Sequence, residues 1–348
     1  MKRNAGHLFA GLRRRVGAAD ARRAMRRKLL IAFAAAALAP TALRAQPSGK
    51  MHRIGYLGPT TAAGAATRIA ALRAGLRELG YAEGKNLAIE FRWADDHYEL
   101  LPKLASELVR LKVDVIVTHG TPGTRAAKQA TSTIPIVMAT AGDAVLVGLV
   151  ASLARPEGNV TGSTFFNPEL AAKRLEVLRD TFPRIKRIAV LQNPGNPAMG
   201  PVLREMEQSA KALKLELLQA GARVPEELES AFSAMAAKHA EAVVAVEDAM
   251  LNGNIKKIAE LAAKHKLPAI GLPELAEAGA LMAYGVDLVQ MFRRAAHFVD
   301  KILKGTKLTD LPVERASKFE LIVNLKTAKA LGVKIPNEIL LRADKVIE

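Results

Sequence analysis

Four short apolar runs constrain this chain more than any other feature: VDVIVT (113–118), IPIVMA (134–139), RIAVLQ (187–192) and AVVAVE (242–247). Each is strand-sized and apolar on both faces, the pattern of strands covered on both sides by helices in a parallel sheet. Amphipathic stretches separate them, such as the helical spacing of Ile69, Leu72, Leu76 and Leu79 ahead of Gly80. Strict alternation of strand and helix predicts a right-handed, doubly wound α/β architecture.

The first unit reads HRIGYL (52–57), a helix over 65–79, NLAIEFRW (86–93), a helix over 97–111, VDVIVT, a helix to about Ser132, and IPIVMA. A second unit restarts with a helix from Pro168 to about Thr181, then RIAVLQ, a helix over 199–213, LELLQA, a helix over 226–238, AVVAVE, a helix over 254–265 and LPAIGL. ALMAYGVD (280–287) is a return strand, a helix runs over 288–303 to Gly305, and the tail holds a final strand and two short helices. At 348 residues the chain has room for two lobes of roughly 100–150 residues each. Between the units lies AGDAVLVGLVASLARPEGNVTGST (141–164), expected to carry a short apolar helix at VLVGLVASLA, a turn at Pro156–Gly158 and a second strand. Here the chain leaves one unit for the next, and the cleft between them is the expected working site.

The sequence has no cysteine, which excludes disulfides, thiolate metal sites, cysteine nucleophiles and a lipidated N-terminal cysteine. A net charge of +17 points towards nucleic acid, but residues 1–45 hold 11 Lys and Arg against one acid, leaving 40 against 33 in the rest. That remainder is scattered among glutamates on helices, so a solvated surface is expected and nucleic acid is not. Residues 1–45 read as a signal peptide with an over-long N-terminal extension. From Met25 a basic start, an apolar stretch over Leu29–Ala39 and a small residue at Ala45 predict cleavage near Ala45 and export to the periplasm. The stretch is too short to span a membrane. Arg26-Arg27 also fits a twin-arginine route.

Motifs of catalysis are missing. The seven histidines form no HExxH pair, and neither a phosphate loop of the GxxxxGK[ST] type nor a GxSxG elbow occurs; Gly55, Gly58 and Gly64 do not make GxGxxG. No cofactor is expected.

In parallel α/β sheets, ligands sit beyond the carboxyl ends of strands, where helix N-termini offer free N–H groups. That rule selects Thr60 in the first loop and Thr121 and Thr124 in Gly120–Thr124, the last two as contacts for a ligand carboxylate, with Thr121 alternatively an ordinary helix cap. It also selects Asp143, Asn193, Asn196, Glu247 and Asp248. Of these, Asp143 could take a donor or cap the next helix. Phe165 and Phe166 follow the crossing into the second unit, where one is expected to wall the cleft and the other to face the core. Tyr284 and Asp287 lie on a return segment where they line the cleft floor or stabilise the hinge, the lining role being expected for Tyr284. Trp93 is expected to pack beside the sheet, and His119 stands at a strand end.

The runs GLRELGY (75–81), LVRLKVDVIV (108–117), ATSTIPIV (130–137), SLARPEGNVTG (152–162), YGVDL (284–288), VDKILKG (299–305), LPVERASKFELIVNLKTAKALG (311–332) and LLRADKVIE (340–348), in this order, resemble the ABC transporter substrate-binding proteins with the type I periplasmic binding protein fold. That resemblance implies two Rossmann-like lobes with parallel sheets joined by three crossing segments, near 161–164, 283–285 and 316–318. It places residues 52–162 and 284–316 in lobe 1, and 163–283 and 317–348 in lobe 2. It further implies a small solute, an amino acid or small carboxylate, delivered to an ABC permease and its ATPase, with the membrane met only through the permease. Relatives have Pro-Asp-Pro around Asp248 and often proline after Asp143, where this chain has Glu247, Ala249 and Ala144. A monomer is expected from the scattered surface charge. The competing classes are an enzyme of racemase or isomerase type, which would need a base pair across the cleft, and a ligand-sensing regulator, which would need a DNA-reading segment where the signal peptide stands.

Overall fold

The computed structural model describes residues 50–348, so the expected signal peptide lies outside the described residues. The first run of elements is β1 (His52–Gly58), α1 (Ala66–Glu78), β2 (Leu87–Trp93), α2 (Leu101–Arg110), β3 (Val115–Thr118), α3 (Gly120–Ala130), β4 (Ile136–Met138) and β5 (Val160–Thr164). The second is α4 (Asn167–Thr181), β6 (Arg187–Gln192), α5 (Met199–Leu213), β7 (Glu216–Gly221), α6 (Leu228–Ala237), β8 (Ala242–Ala245), α7 (Ala249–Gly253), α8 (Ile255–Lys264), β9 (Ala269–Gly271), α9 (Pro273–Glu277) and β10 (Met282–Gly285). The chain ends with α10 (Leu288–Leu303), β11 (Glu314–Arg315), β12 (Glu320–Asn324), α11 (Leu325–Leu331), α12 (Asn337–Arg342) and β13 (Lys345–Ile347).

Two sheets result. One has the order β11-β5-β4-β3-β1-β2 and is parallel throughout. The other has the order β13-β12-β10-β9-β8-β6-β7, in which β10 and β12 are antiparallel and every other pair is parallel. Each sheet with its helices is a lobe, the first sheet making lobe 1. The chain changes sheet between β5 and β6, between β10 and β11, and between β11 and β12.

The apolar runs form the sheet cores as their composition requires. Ile54, Tyr56, Val115, Val117 and Val137 pack beneath Leu72 and Leu76 of α1, and α10 returns to the same core with Phe292, Ala295, Ala296 and Val299. Fully burying one such leucine contributes roughly 1.5–3 kcal/mol. In lobe 2, Ile188, Val190 and Val244 pack against Leu175 and Leu178 of α4 and Val202 and Met206 of α5.

Residues 145–154 do not form the expected apolar helix. The Ala144 carbonyl accepts from both Leu149 N (2.8 Å) and Val150 N (3.2 Å), and Gly148 at φ +71° reverses the chain. The left-handed residue breaks the helical ladder and turns Leu149 and Val150 into the lobe 1 core. Nor did β13 show in the sequence: it is a three-residue edge strand without an apolar run. Gly162, within the NVTG run, has φ +124°, and a Cβ there would lie 2.1 Å from the Met138 carbonyl oxygen. The β4–β5 approach therefore requires glycine.

Register brings the loops of each sheet to one level. Leu57 pairs with Thr118, and Thr118 with Met138, so the chain emerges at Pro59, His119 and Ala139 side by side. Leu191 pairs with Ala245, which sets Asn193 beside Glu247 and Asp248.

Candidate functional site

A cavity of about 30 Å³ lies between these two sets of loops. Lobe 1 contributes Arg68, His119, Gly120, Thr121, Thr140 and Phe165; lobe 2 contributes Asn196, Glu247, Asp248 and Asn252. Asn167, the first residue of α4, closes one side.

Arg68 sits on the buried side of α1, one residue before Ile69 and four before Leu72. Its Nη2 donates to the Gly64 carbonyl at 2.6 Å and, across the cleft, to the Asn252 carbonyl at 2.9 Å. Its Nη1 is buried without a partner. Burial pushes its pKa below the usual arginine range, and the carboxylate of Glu274 opposes that shift. His119, the residue before α3, meets the Tyr56 hydroxyl through Nδ1 at 3.0 Å, while its Nε2 is buried and unpartnered. Burial, reinforced by the Arg68 charge, holds His119 down at about 3, so its ring is neutral.

Five residues of this one cavity carry buried polar atoms with no partner: Arg68 Nη1, His119 Nε2, Thr140 Oγ1, Asn167 Oδ1 and Glu247 Oε2. Buried polar groups are normally satisfied, because an orphaned one costs about 1–3 kcal/mol. A cluster of them around a cavity marks a place where a ligand supplies the missing partners.

Of the residues selected from sequence, the structure places Thr121, Phe165, Asn196, Glu247 and Asp248 in the cavity wall. Asp248 caps α7, accepting from Met250 N and Leu251 N, and takes further bonds from Asn193 Nδ2 (3.2 Å) and Asn196 Nδ2 (3.0 Å). Burial raises its pKa against these donors. Asn193 therefore stands behind Asp248 instead of in the wall. Thr124 is buried one turn into α3, bonded to the Gly120 carbonyl at 2.9 Å. Thr60 is buried at the lobe contact, its hydroxyl filling the space a Cβ on Gly253 would need.

Asp143 caps no helix, since none forms after it: Oδ1 accepts from Leu146 N at 3.0 Å within the turn that replaces the expected helix, outside the cavity wall. Tyr284 stacks on Phe319 at 6.0 Å and packs with Phe165 and Val286 at the strand crossing, also outside the wall. Phe166 lies under the Arg315 guanidinium. Trp93 stacks on Phe91 at 5.7 Å and lies across Gly58. The residues not singled out beforehand are Arg68, Thr140, Asn167 and Asn252. Arg68 alone left a signal, an arginine embedded in an otherwise apolar helix stripe.

The lobes also touch directly. Tyr98 of lobe 1 donates to the Asp248 carboxylate, 3.0 and 2.9 Å from its two oxygens, and accepts from Met250 N at 2.9 Å. Asn254 Nδ2 donates to Asp96 Oδ2 at 3.1 Å. With the Arg68–Asn252 bond, these close the cleft around the cavity.

A family model described as ABC transporter substrate binding protein matches residues 63–347. The chain belongs to this family. Members of it bind small solutes outside the cytoplasm and work with a membrane permease. A protein named tyrosine-binding protein from Clostridioides difficile (strain R20291) is 29% identical over 260 residues, 74% of each chain. The crystal structure of a conserved domain protein from Vibrio cholerae superposes with a TM-score of 0.79 at 29% identity, covering 85% of this chain and all of that one. The ABC domain in complex with L-Trp from Streptococcus pneumonia superposes at 0.77 with 24% identity, covering 85% and 99%, and shares the fold.

In a substrate-binding protein the Tyr98–Asp248 contact sets the balance between open and closed lobes. Tyr98→Phe is expected to shift that balance towards the open form by about 1–2 kcal/mol, the worth of a hydrogen bond to a carboxylate. Small-angle scattering without ligand is expected to show a larger radius of gyration for the variant than for the wild type. Equal radii would remove Tyr98 from the latch.

Proposed function

We propose that the solute is an amino acid that binds between the lobes at this cavity, which widens from its water-sized volume as the lobes part, and that it is delivered from there to an ABC permease. The observation that carries this reading is the set of five orphaned polar atoms around one cavity, offering a guanidinium on one side and a carboxylate oxygen on the other. Thr121 at the start of α3 adds a hydroxyl and a free helix-terminal N–H to the same space. Phe165 and Leu288 supply apolar wall. The tyrosine-binding relative and the L-Trp complex support an amino acid over a sugar.

On this reading Asn193, Asn196 and Asp248 shape the lobe 2 face, Thr60 keeps the lobes in register, and the three changes of sheet are the hinge of two lobes spanning 52–162 with 284–316 and 163–283 with 317–348. The signal peptide is removed near Ala45, by the general or the twin-arginine route, and the mature protein works as a periplasmic monomer. N-terminal sequencing of the exported protein is expected to begin at Gln46; a start at Met1 would sink the export reading.

A thermal-shift panel of amino acids, small carboxylates and sugars tests the solute class. A ligand at about 100 times its dissociation constant adds about 2.7 kcal/mol, which raises the midpoint by roughly 5 °C or more. Amino acids are expected to produce that shift. A response to sugars alone would reject the proposal.

A further inference from the structure

We propose that the cavity is built for a zwitterion held at two opposite poles, with Arg68 taking the ligand's carboxylate and Glu247, not Asp248, taking its ammonium group. This rests on the reading of the cavity as an amino-acid site and names the groups that would enforce it.

Asp248 has no oxygen to offer. Oδ1 accepts from Asn193, Met250 N and Leu251 N, Oδ2 accepts from Asn196, and the one hydroxyl hydrogen of Tyr98 is shared between the two oxygens. A carboxylate has about four lone-pair sites, so this one is saturated by the lobes themselves. Glu247 differs: Oε1 pairs with Arg174, whereas Oε2 is buried and has no partner. The side chain is 5% exposed and forms part of the cavity wall. Arg174 acts as a positioning residue. Its Nε and Nη1 are committed to the Tyr284 and Ala245 carbonyls at 2.8 and 2.9 Å, so the guanidinium cannot follow a ligand and Glu247 is held in one rotamer.

The opposite pole is Arg68 Nη1 with His119 Nε2 beside it. The Tyr56 hydroxyl is a buried neutral phenol whose partner is His119 Nδ1. Donation from that hydroxyl to Nδ1 places the ring proton on Nε2, which makes the unpartnered atom a second donor to a carboxylate.

Charge balance points to the same class of ligand. The charged residues in the wall are Arg68, Glu247 and Asp248, and Arg174 directly behind Glu247 makes two cations against two anions. Asp96 is buried and Glu274 half-buried nearby, and burial raises the pKa of both, as it does that of Asp248, whose hydrogen-bond donors oppose the shift. A zwitterion enters such a set without leaving a buried charge uncompensated; a plain carboxylate or amine does not.

The test compares α-amino acids with their 2-hydroxy analogues, which keep the carboxylate and replace the ammonium by hydroxyl. Tyrosine with 4-hydroxyphenyllactate, phenylalanine with phenyllactate, and valine with its hydroxy acid are titrated calorimetrically into the full chain and into E247Q, D248N and R68Q. At least one amino acid is expected to bind about 100-fold or more tightly than its analogue, the scale of discrimination by a buried polar group. E247Q is expected to cut that ratio below about ten. R68Q is expected to weaken both members of a pair and leave the ratio standing, and D248N to leave it standing too. Equal binding of both members by the wild type overturns the two-pole site while the solute-binding reading survives, and so does a ratio lost in D248N but kept in E247Q. If no amino acid or hydroxy acid binds, the amino-acid reading falls with it. Should E247Q fail to fold, the wild-type ratio decides.

Discussion

Replacing Arg174 by alanine is expected to lower the unfolding free energy by about 3–5 kcal/mol, the usual cost of removing one partner from a buried ion pair. Arg174 projects from α4, is 0% exposed, and is the largest fully buried side chain among the described residues. Its guanidinium ties α4 to the carboxyl ends of β8 and β10 through the Ala245 and Tyr284 carbonyls and pairs with Glu247. Truncation leaves a buried carboxylate without its cation, two carbonyls without donors, and a void. At about 2–4 °C per kcal/mol the midpoint should fall by roughly 10 °C. Joint replacement, Arg174→Met with Glu247→Met, is expected to recover more than half of the loss, because no charge is then left unpaired. Urea unfolding of both variants checks this. A loss below 1 kcal/mol in Arg174→Ala would show that water or a neighbouring group already serves Glu247.

Glu274→Gln is expected to stabilise the protein at pH 8 and to leave its stability nearly unchanged at pH 4.5. Both oxygens of Glu274 are buried without a partner, and burial raises its pKa from 4.5 to about 7, with Arg68 opposing the shift. Its remaining exposure lies on other atoms of the side chain. An acid whose folded pKa lies above its unfolded value binds more protons when folded. It therefore costs stability above the folded pKa, and that cost disappears as pH falls from about 7 to 4.5. At 1.36 kcal/mol per unit the full effect is about 3 kcal/mol, or roughly 6 °C in the midpoint. At pH 4.5 the wild-type carboxyl is already neutral, so the amide changes little. Thermal unfolding of both proteins across this range measures the difference. A variant whose curve stays parallel to the wild type would show that Glu274 titrates normally.

Glu274 and Arg174 belong to a pattern around the closed cleft. Asp96, Asp248, Glu247, Arg68 and Arg174 are all buried where the lobes meet. Such groups come at a cost in stability, since each must find a partner in its own lobe, in the other lobe or in a ligand. Tyr98 and Asn254 provide part of that partnership without ligand. The atoms of Arg68, His119, Thr140, Asn167 and Glu247 that remain without a partner are those the proposed site assigns to the solute.

The sequence by itself determined the two α/β units, nearly all of their strands and helices, and the strand-end loops that the structure brings to the interlobe cavity. Runs such as VDVIVT and RIAVLQ can only be buried strands, and the strand-end rule needs nothing more than their order. It also supplied the resemblance to the family that the match over residues 63–347 establishes. It misread 145–154, because the reversal at Gly148 depends on where Leu149 and Val150 find a core. Tertiary structure alone decided which strand-end residues face the cavity and with which atoms. Glu247 and Asp248 are adjacent in the chain and chemically alike, yet one is saturated by Tyr98 and two asparagines while the other keeps an oxygen free. Arg68 enters from a helix that no strand-end rule selects. Those distinctions arise from hydrogen bonds between residues up to 184 positions apart, as between Arg68 and Asn252. No local pattern of residue types encodes such long-range pairings; the docking of one lobe on the other creates them.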